Sequence, residues 1–179
     1  MCASGAVPEA GISCRPWLIR GVARLTGMAV PEVPGATGYI DTDYLAKAKA
    51  ALELLQGNMD FVLVHIEGID EVSHDKNAKA KIKAIEDSSE ILVRYLVEHI
   101  PEDVIVCILS DHTTSTLLGD HTTDPTGIVL WSKTPAFRRD DVEGFTENQL
   151  SRGALLRVEG NDMMPLLMGF MRRLKKFGA

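Results

Sequence analysis

Long apolar runs are missing from this chain. No stretch approaches the ~18–20 residues that a membrane-spanning helix needs. The opening MCASGAVPEAGISCRPW has neither the basic region nor the apolar run of a signal peptide, so no leader is expected. Positive charge is in short supply: 19 Lys and Arg against 25 Asp and Glu give a net charge of −6. That balance offers no electrostatic footing to nucleic acid or to an anionic membrane, and neither is expected as a partner. The basic run RRLKK (172–176) reads as the last turn of a C-terminal helix, where the helix dipole favours cations. Cysteine is scarce too. Cys2, Cys14 and Cys107 make neither an even disulfide set nor a CxxC pair, which points to a reducing compartment, with the cytoplasm as the default. Cys107, inside VIVCIL, reads as a small buried hydrophobe.

What is present suits a soluble α/β protein. At 179 residues and 45% apolar content, the chain is long enough for one domain with its own core. DFVLVHIE (60–67), DVIVCILSD (103–111) and the shorter GIVLW (127–131) read as strands buried on both faces. Between the first two lies 78–100, whose Ile82, Ile85, Ser89, Leu92 and Leu96 recur at steps of three and four and make one helical face. Glu90 and Arg94 form a favourable i,i+4 pair on that helix, and Pro101 stops it. Strand, helix and strand form a βαβ unit, which predicts a mostly parallel sheet flanked by helices. Asp41 to Asp43 can cap a helix over about 44–56, closed by Gly57. Asn161 and Asp162 precede another amphipathic helix, MPLLMGFMRRLKKF, and PEVPGATG (31–38) reads as a loop.

Only five histidines are present, and two fall in SDHTTSTLLGDHTTDP (110–125), each behind an aspartate. In open α/β sheets, ligands gather at the carboxyl ends of the strands. The first strand runs into GIDEVSHD, with Asp70 and His74 four positions apart; the second ends at Asp111-His112; His121 follows in the next loop. All five residues should project from one edge of a sheet. Carboxylate and imidazole together suit manganese, zinc or related divalent ions, not calcium or soft thiolate sites. One ion could take Asp70, His74 and His121. A second could take Asp111 and His112 and would need further ligands. Asp120 reads as a turn-orienting residue, His65 as a hydrogen-bonded residue within its strand, and His99 as a helix C-terminal cap.

The series HIEGIDEVSHD, SDH and GDHTTDP closely resembles the cofactor-independent phosphoglycerate mutases of the archaeal type, in the alkaline phosphatase superfamily of metalloenzymes. The likeness extends to RLTGMAVPEVPGATGYIDTDYLAKAKAALE, to KIKAIED and to the closing GALLRVEGNDMMPLLMGFMRRLKKFGA. It covers residues 17–179, as the C-terminal part of such an enzyme, and leaves 1–16 unmatched. The resemblance implies interconversion of 3- and 2-phosphoglycerate in glycolysis by metal-assisted phosphoryl transfer. It implies two divalent ions, manganese foremost, with zinc, magnesium or cobalt permitted. Asp70, His74 and His121 would hold one ion, Asp111 and His112 would help hold the other, and Lys47 would approach substrate phosphate. The family's nucleophilic serine and a further ligand aspartate lie upstream of everything matched, so no catalytic nucleophile is expected in this chain. The family's inserted substrate-binding domain and N-terminal strands have no counterpart either.

Two uses of such a chain follow. It is either part of a mutase completed by a separate N-terminal half chain or a non-catalytic, truncated metal-binding domain. Another phosphomutase or hydrolase of the same superfamily would share the ligands. A sheet edge without its neighbouring strands would favour self-association.

Overall fold

The structure is a computed structural model that describes residues 10–13, 17–134 and 138–174. Cys2, Cys14 and Lys175 to Ala179 lie outside the described residues. The fold is α/β, and its residues pack as two compact units: one holds residues up to Ile100 together with Thr114–His121, the other holds Pro101–Thr113 and everything from Thr122.

In the first unit, β1 (Ala10–Ser13) pairs in parallel with β2 (Phe61–Val64). The strand β1 falls in the segment that the sequence motifs left unassigned. Helix α1 (Trp17–Leu25) follows it, and α2 (Tyr44–Gln56) begins where the sequence places it. Asp43 caps α2 by accepting from the Ala46 amide at 2.8 Å, and Gly57 closes it. Tyr44, Ala48 and Leu92 form a core cluster, with Val64, Ile66, Val93, Tyr95 and Leu96 packed around them.

Helix α3 (Gly68–His74) leads to a continuous helical run: α4 (Ala78–Asp87), a π-helical turn over Ser88–Val93, and α5 (Arg94–His99). The π turn corrects the single helical face expected here. It inserts an extra residue, so the face before it is rotated relative to the face after it. Leu92 is buried, whereas Ile82 and Ile85 are 58% and 46% exposed. Glu90 and Arg94 form the expected ion pair. Ile100 turns extended ahead of Pro101, as a residue before proline must.

In the second unit, β3 (Ile105–Leu109) pairs with β6 (Ile128–Ser132), and the pairing is antiparallel. The parallel sheet expected from β2, the helical run and β3 is not what the pairings among the described residues give: β2 pairs in parallel with β1, which the sequence reading did not propose, and β3 pairs antiparallel with β6. The two strands are joined by an excursion without a crossover helix, and antiparallel neighbours need none. That excursion carries the short paired strands β4 (Thr113–Ser115) and β5 (Asp120–Thr122). Cys107 lies half-buried on β3, and burial pushes its thiol above the usual range. After α6 (Glu147–Leu150), α7 runs only over Met163–Phe170. Arg172 has φ of 57°, so Arg172 and Arg173 lie past the helix rather than in its last turn, and Lys175 and Lys176 of the basic run lie outside the described residues. Among the described residues, no helix is long and apolar enough to cross a membrane.

Candidate metal centre

The site is built from the junction where β2 gives way to α3. Gly68 opens α3 against the Tyr39–Ile40 backbone: a Cβ there would lie 2.6 Å from the Tyr39 carbonyl carbon and 2.7 Å from the Ile40 nitrogen. Only glycine allows that approach. Helical spacing then places Asp70 and His74 one turn apart on the same face. His121 arrives from β5, carried by a turn whose Gly119 has φ of +70°.

The three side chains converge. His74 Nε2 lies 3.1 Å from His121 Nε2 and 3.4 Å from Asp70 Oδ2, and His121 Nε2 lies 3.7 Å from Asp70 Oδ1. An ion with ligands at ~2.0–2.1 Å has neighbouring ligand atoms roughly 3.0–3.4 Å apart in octahedral or tetrahedral arrangements. The triangle is close to that size. Among the described residues, it is the group of three whose donor atoms all fall within 4.8 Å of one another.

The surroundings fix the donors. His74 Nδ1 donates to the Gly119 carbonyl at 3.0 Å, which turns Nε2 toward His121 and Asp70 as a candidate ligand atom. Thr114, 4% exposed, donates its hydroxyl to Asp70 Oδ1, and its own carbonyl accepts from the Lys81 ammonium at 2.8 Å. Neither Thr114 nor Gly119 stood out in the sequence. The signal was their place beside the two Asp-His pairs, but a threonine and a glycine carry no ligand chemistry of their own. Thr114→Val should keep the fold and weaken ion binding about tenfold, because a lost orienting partner costs that much; titration with Mn²⁺ or Zn²⁺ measures it.

The Gly119 carbonyl holds the His74 imidazolium above its usual range, desolvation opposes it, and the Asp70, Asp120 and Glu71 charges reinforce it. A raised pKa means that the ring in the ion-free protein keeps its proton to higher pH than an ordinary histidine does. The stability it contributes is present below the unfolded pKa and is lost as pH rises through the folded one. Ion binding needs the neutral ring, so affinity should fall on acidification starting above the ordinary histidine value of 6.5. Ion titrations across pH 5–8 read the onset directly.

The second Asp-His pair belongs to the other unit. The His112 amide donates to Asp111 Oδ1 at 3.1 Å, His112 Nε2 lies 3.6 Å from Asp111 Oδ2, and Ser110 donates to the His112 carbonyl at 2.7 Å. These bonds pin the loop and supply two potential ligands. Asp120 accepts from the His121 amide at 2.8 Å, the turn role expected of it. His65 falls just past β2, and its carbonyl accepts from the Lys47 ammonium at 3.0 Å. Lys47 is 1% exposed, and its ammonium also donates to the Thr37 carbonyl at 3.4 Å. To reach a substrate phosphate, it would have to leave these carbonyls. His99 ends α5, donates to the Tyr95 carbonyl at 2.7 Å and stacks on the Tyr95 ring.

Residues 14–169 match the family described as the Metalloenzyme superfamily. The chain belongs to this superfamily. It is 43% identical over 177 residues to the 2,3-bisphosphoglycerate-independent phosphoglycerate mutase of Methanopyrus kandleri, covering 98% of this chain and 40% of that one. A solved Pyrococcus horikoshii protein superposes with a TM-score of 0.89 at 36% identity, over 96% of this chain and 51% of that one. The cofactor-independent phosphoglycerate mutase of Thermoplasma acidophilum shares the fold, with a TM-score of 0.63 at 22% identity over 91% of this chain and 37% of that one. This superfamily member thus spans about 40% of the length of the curated relatives it matches.

Proposed function

We propose that this chain is the metal-holding part of a cofactor-independent phosphoglycerate mutase that interconverts 3- and 2-phosphoglycerate in the cytoplasm. The observation that carries the reading is the Asp70–His74–His121 donor triangle within a chain 43% identical to such a mutase. Asp70, His74 and His121 hold one divalent ion, and Asp111 and His112 help hold a second, with manganese the foremost candidate. Divalent ions bound there would supply Lewis-acid stabilisation of the charge on phosphoryl oxygens. This chain's own residues do the orienting. The Gly119 carbonyl fixes the His74 tautomer, Thr114 fixes the Asp70 carboxylate, and Asp120 fixes the His121 backbone. The serine nucleophile comes from the part of the enzyme that the relatives carry and this chain does not span.

Such a chain should seek a partner. Trp17, Leu18 and Leu25 on α1 are 85%, 60% and 90% exposed, an apolar surface that invites association. The test is to purify the chain, measure bound Mn²⁺ and assay 3-phosphoglycerate conversion, alone and with a separately produced polypeptide corresponding to the relatives' remaining length. Ion binding without turnover alone, and turnover on mixing, is the expected result. Failure to bind any divalent ion would remove the basis of the reading. Turnover by the pure chain would contradict the placement of the nucleophile. Size-exclusion chromatography of the chain alone should show self-association; a monodisperse, thermally stable monomer would contradict that part.

A further inference from the structure

We infer that the second unit carries a separate anion site, built from Arg138, Arg139 and Arg152 and suited to the phosphate group of a compact metabolite. The three arginines line one broad, solvent-open surface groove of about 690 Å³. None of their guanidinium groups makes a hydrogen bond or ion pair with a described residue, although Asp140, Asp141 and Glu143 line the same groove. One of these carboxylates, Asp140, is otherwise engaged. Asp140 accepts from the Val142 amide at 3.2 Å and the Ala154 amide at 2.7 Å, and these bonds hold its carboxyl below the usual carboxylate range.

That aspartate also makes the scaffold. It ties together two backbone segments on either side of α6, which Thr146 caps through the Gln149 amide at 3.4 Å. Gly153 lies so close that a Cβ there would meet Asp140 Oδ2 at 3.3 Å. Arg152 is thereby held beside Arg138 and Arg139. Guanidinium groups are planar forks that bind phosphate oxygens bidentately, and three of them share this lining. Asp141 and Glu143 on the lining select against extended polyanions, whose neighbouring charges would meet them. A small phosphorylated molecule fits where a nucleic-acid backbone does not.

The site shares no residue with Asp70, His74 and His121 and does not depend on the mutase reading. The decisive experiment titrates the whole chain, stripped of metal and kept in EDTA, with inorganic phosphate by calorimetry. Saturable binding is expected. It should weaken about tenfold or more in Arg152→Ala, as loss of one charge-assisted fork predicts. Arg152→Lys should recover only part, and His74→Ala should bind as the parent does. If Arg152→Ala disturbs the fold by circular dichroism, the exposed pair Arg138→Ala/Arg139→Ala takes its place with the same expected loss. No saturable phosphate binding, unchanged binding in the arginine variants, loss in His74→Ala, or acetate binding as tightly as phosphate would each overturn the assignment.

Discussion

Replacing His121 by alanine should weaken divalent-ion binding about a hundredfold while leaving the fold intact. Structural zinc sites bind with about 10–16 kcal/mol over four ligands, so one ligand accounts for roughly 3 kcal/mol, and 1.4 kcal/mol is a factor of ten. His121 lies on the edge of a short hairpin and is exposed, so little packing is lost with it. The variant therefore separates ligation from folding more cleanly than Asp70→Ala, whose carboxylate also accepts from buried Thr114. Competition titration against a chromogenic chelator gives the affinity, and circular dichroism checks the fold. Equal affinity in parent and variant would show that the triangle is a hydrogen-bonded histidine cluster and not an ion site.

That Asp70, His74 and His121 come together could be read from sequence because the parts of the triangle obey local rules. Asp70 and His74 sit four residues apart on a helix, and that spacing alone brings both to one face. His121 is brought in by a turn that requires Gly119 at positive φ. The cap of α2 was legible for the same reason, since Asp43 and Gly57 act on their immediate neighbours. What escaped depends on distant partners or on irregular backbone. The π turn at Ser88–Val93 has no marker in the residue pattern, and it exposes Ile82 and Ile85, which an unbroken helix would bury. The antiparallel pairing of β3 and β6 is settled by where the chain returns after its hairpin, not by the apolar runs themselves. The strand β1 pairs with β2 across the 47 residues of intervening chain from 14 to 60, and four residues of AGIS carry no period strong enough to announce it. The grouping of Arg138, Arg139 and Arg152 escaped because Arg152 lies far along the chain from the other two, and the Asp140–Ala154 bond that spans the gap has no sequence marker.

Gly68→Ala should destabilise the protein by about 3 kcal/mol, near the upper end for overpacking. For a chain of this size that lowers the melting temperature by roughly 6–12 °C. The added methyl would sit 2.6–2.8 Å from backbone atoms of Tyr39 and Ile40, and backbone cannot swing aside as a flexible side chain does. Gly68 stands at the first position of α3, so the gain in helix propensity is too small to compensate. Relief of the clash must move α3, and with it Asp70 and His74, so ion affinity should fall together with stability. Gly21→Ala provides the contrast. Gly21 lies inside α1 with nothing within 4 Å of its would-be Cβ, so alanine there should stabilise by about 0.5–1 kcal/mol and leave ion binding unchanged. Thermal melts of both variants with and without added Mn²⁺ measure the two effects at once. If the Gly68 variant melts like the parent and binds the ion equally well, the α3 start is not fixed by its contact with Tyr39. The Asp70–His74–His121 triangle would then owe its geometry to the hairpin side alone, through Thr114 and Gly119.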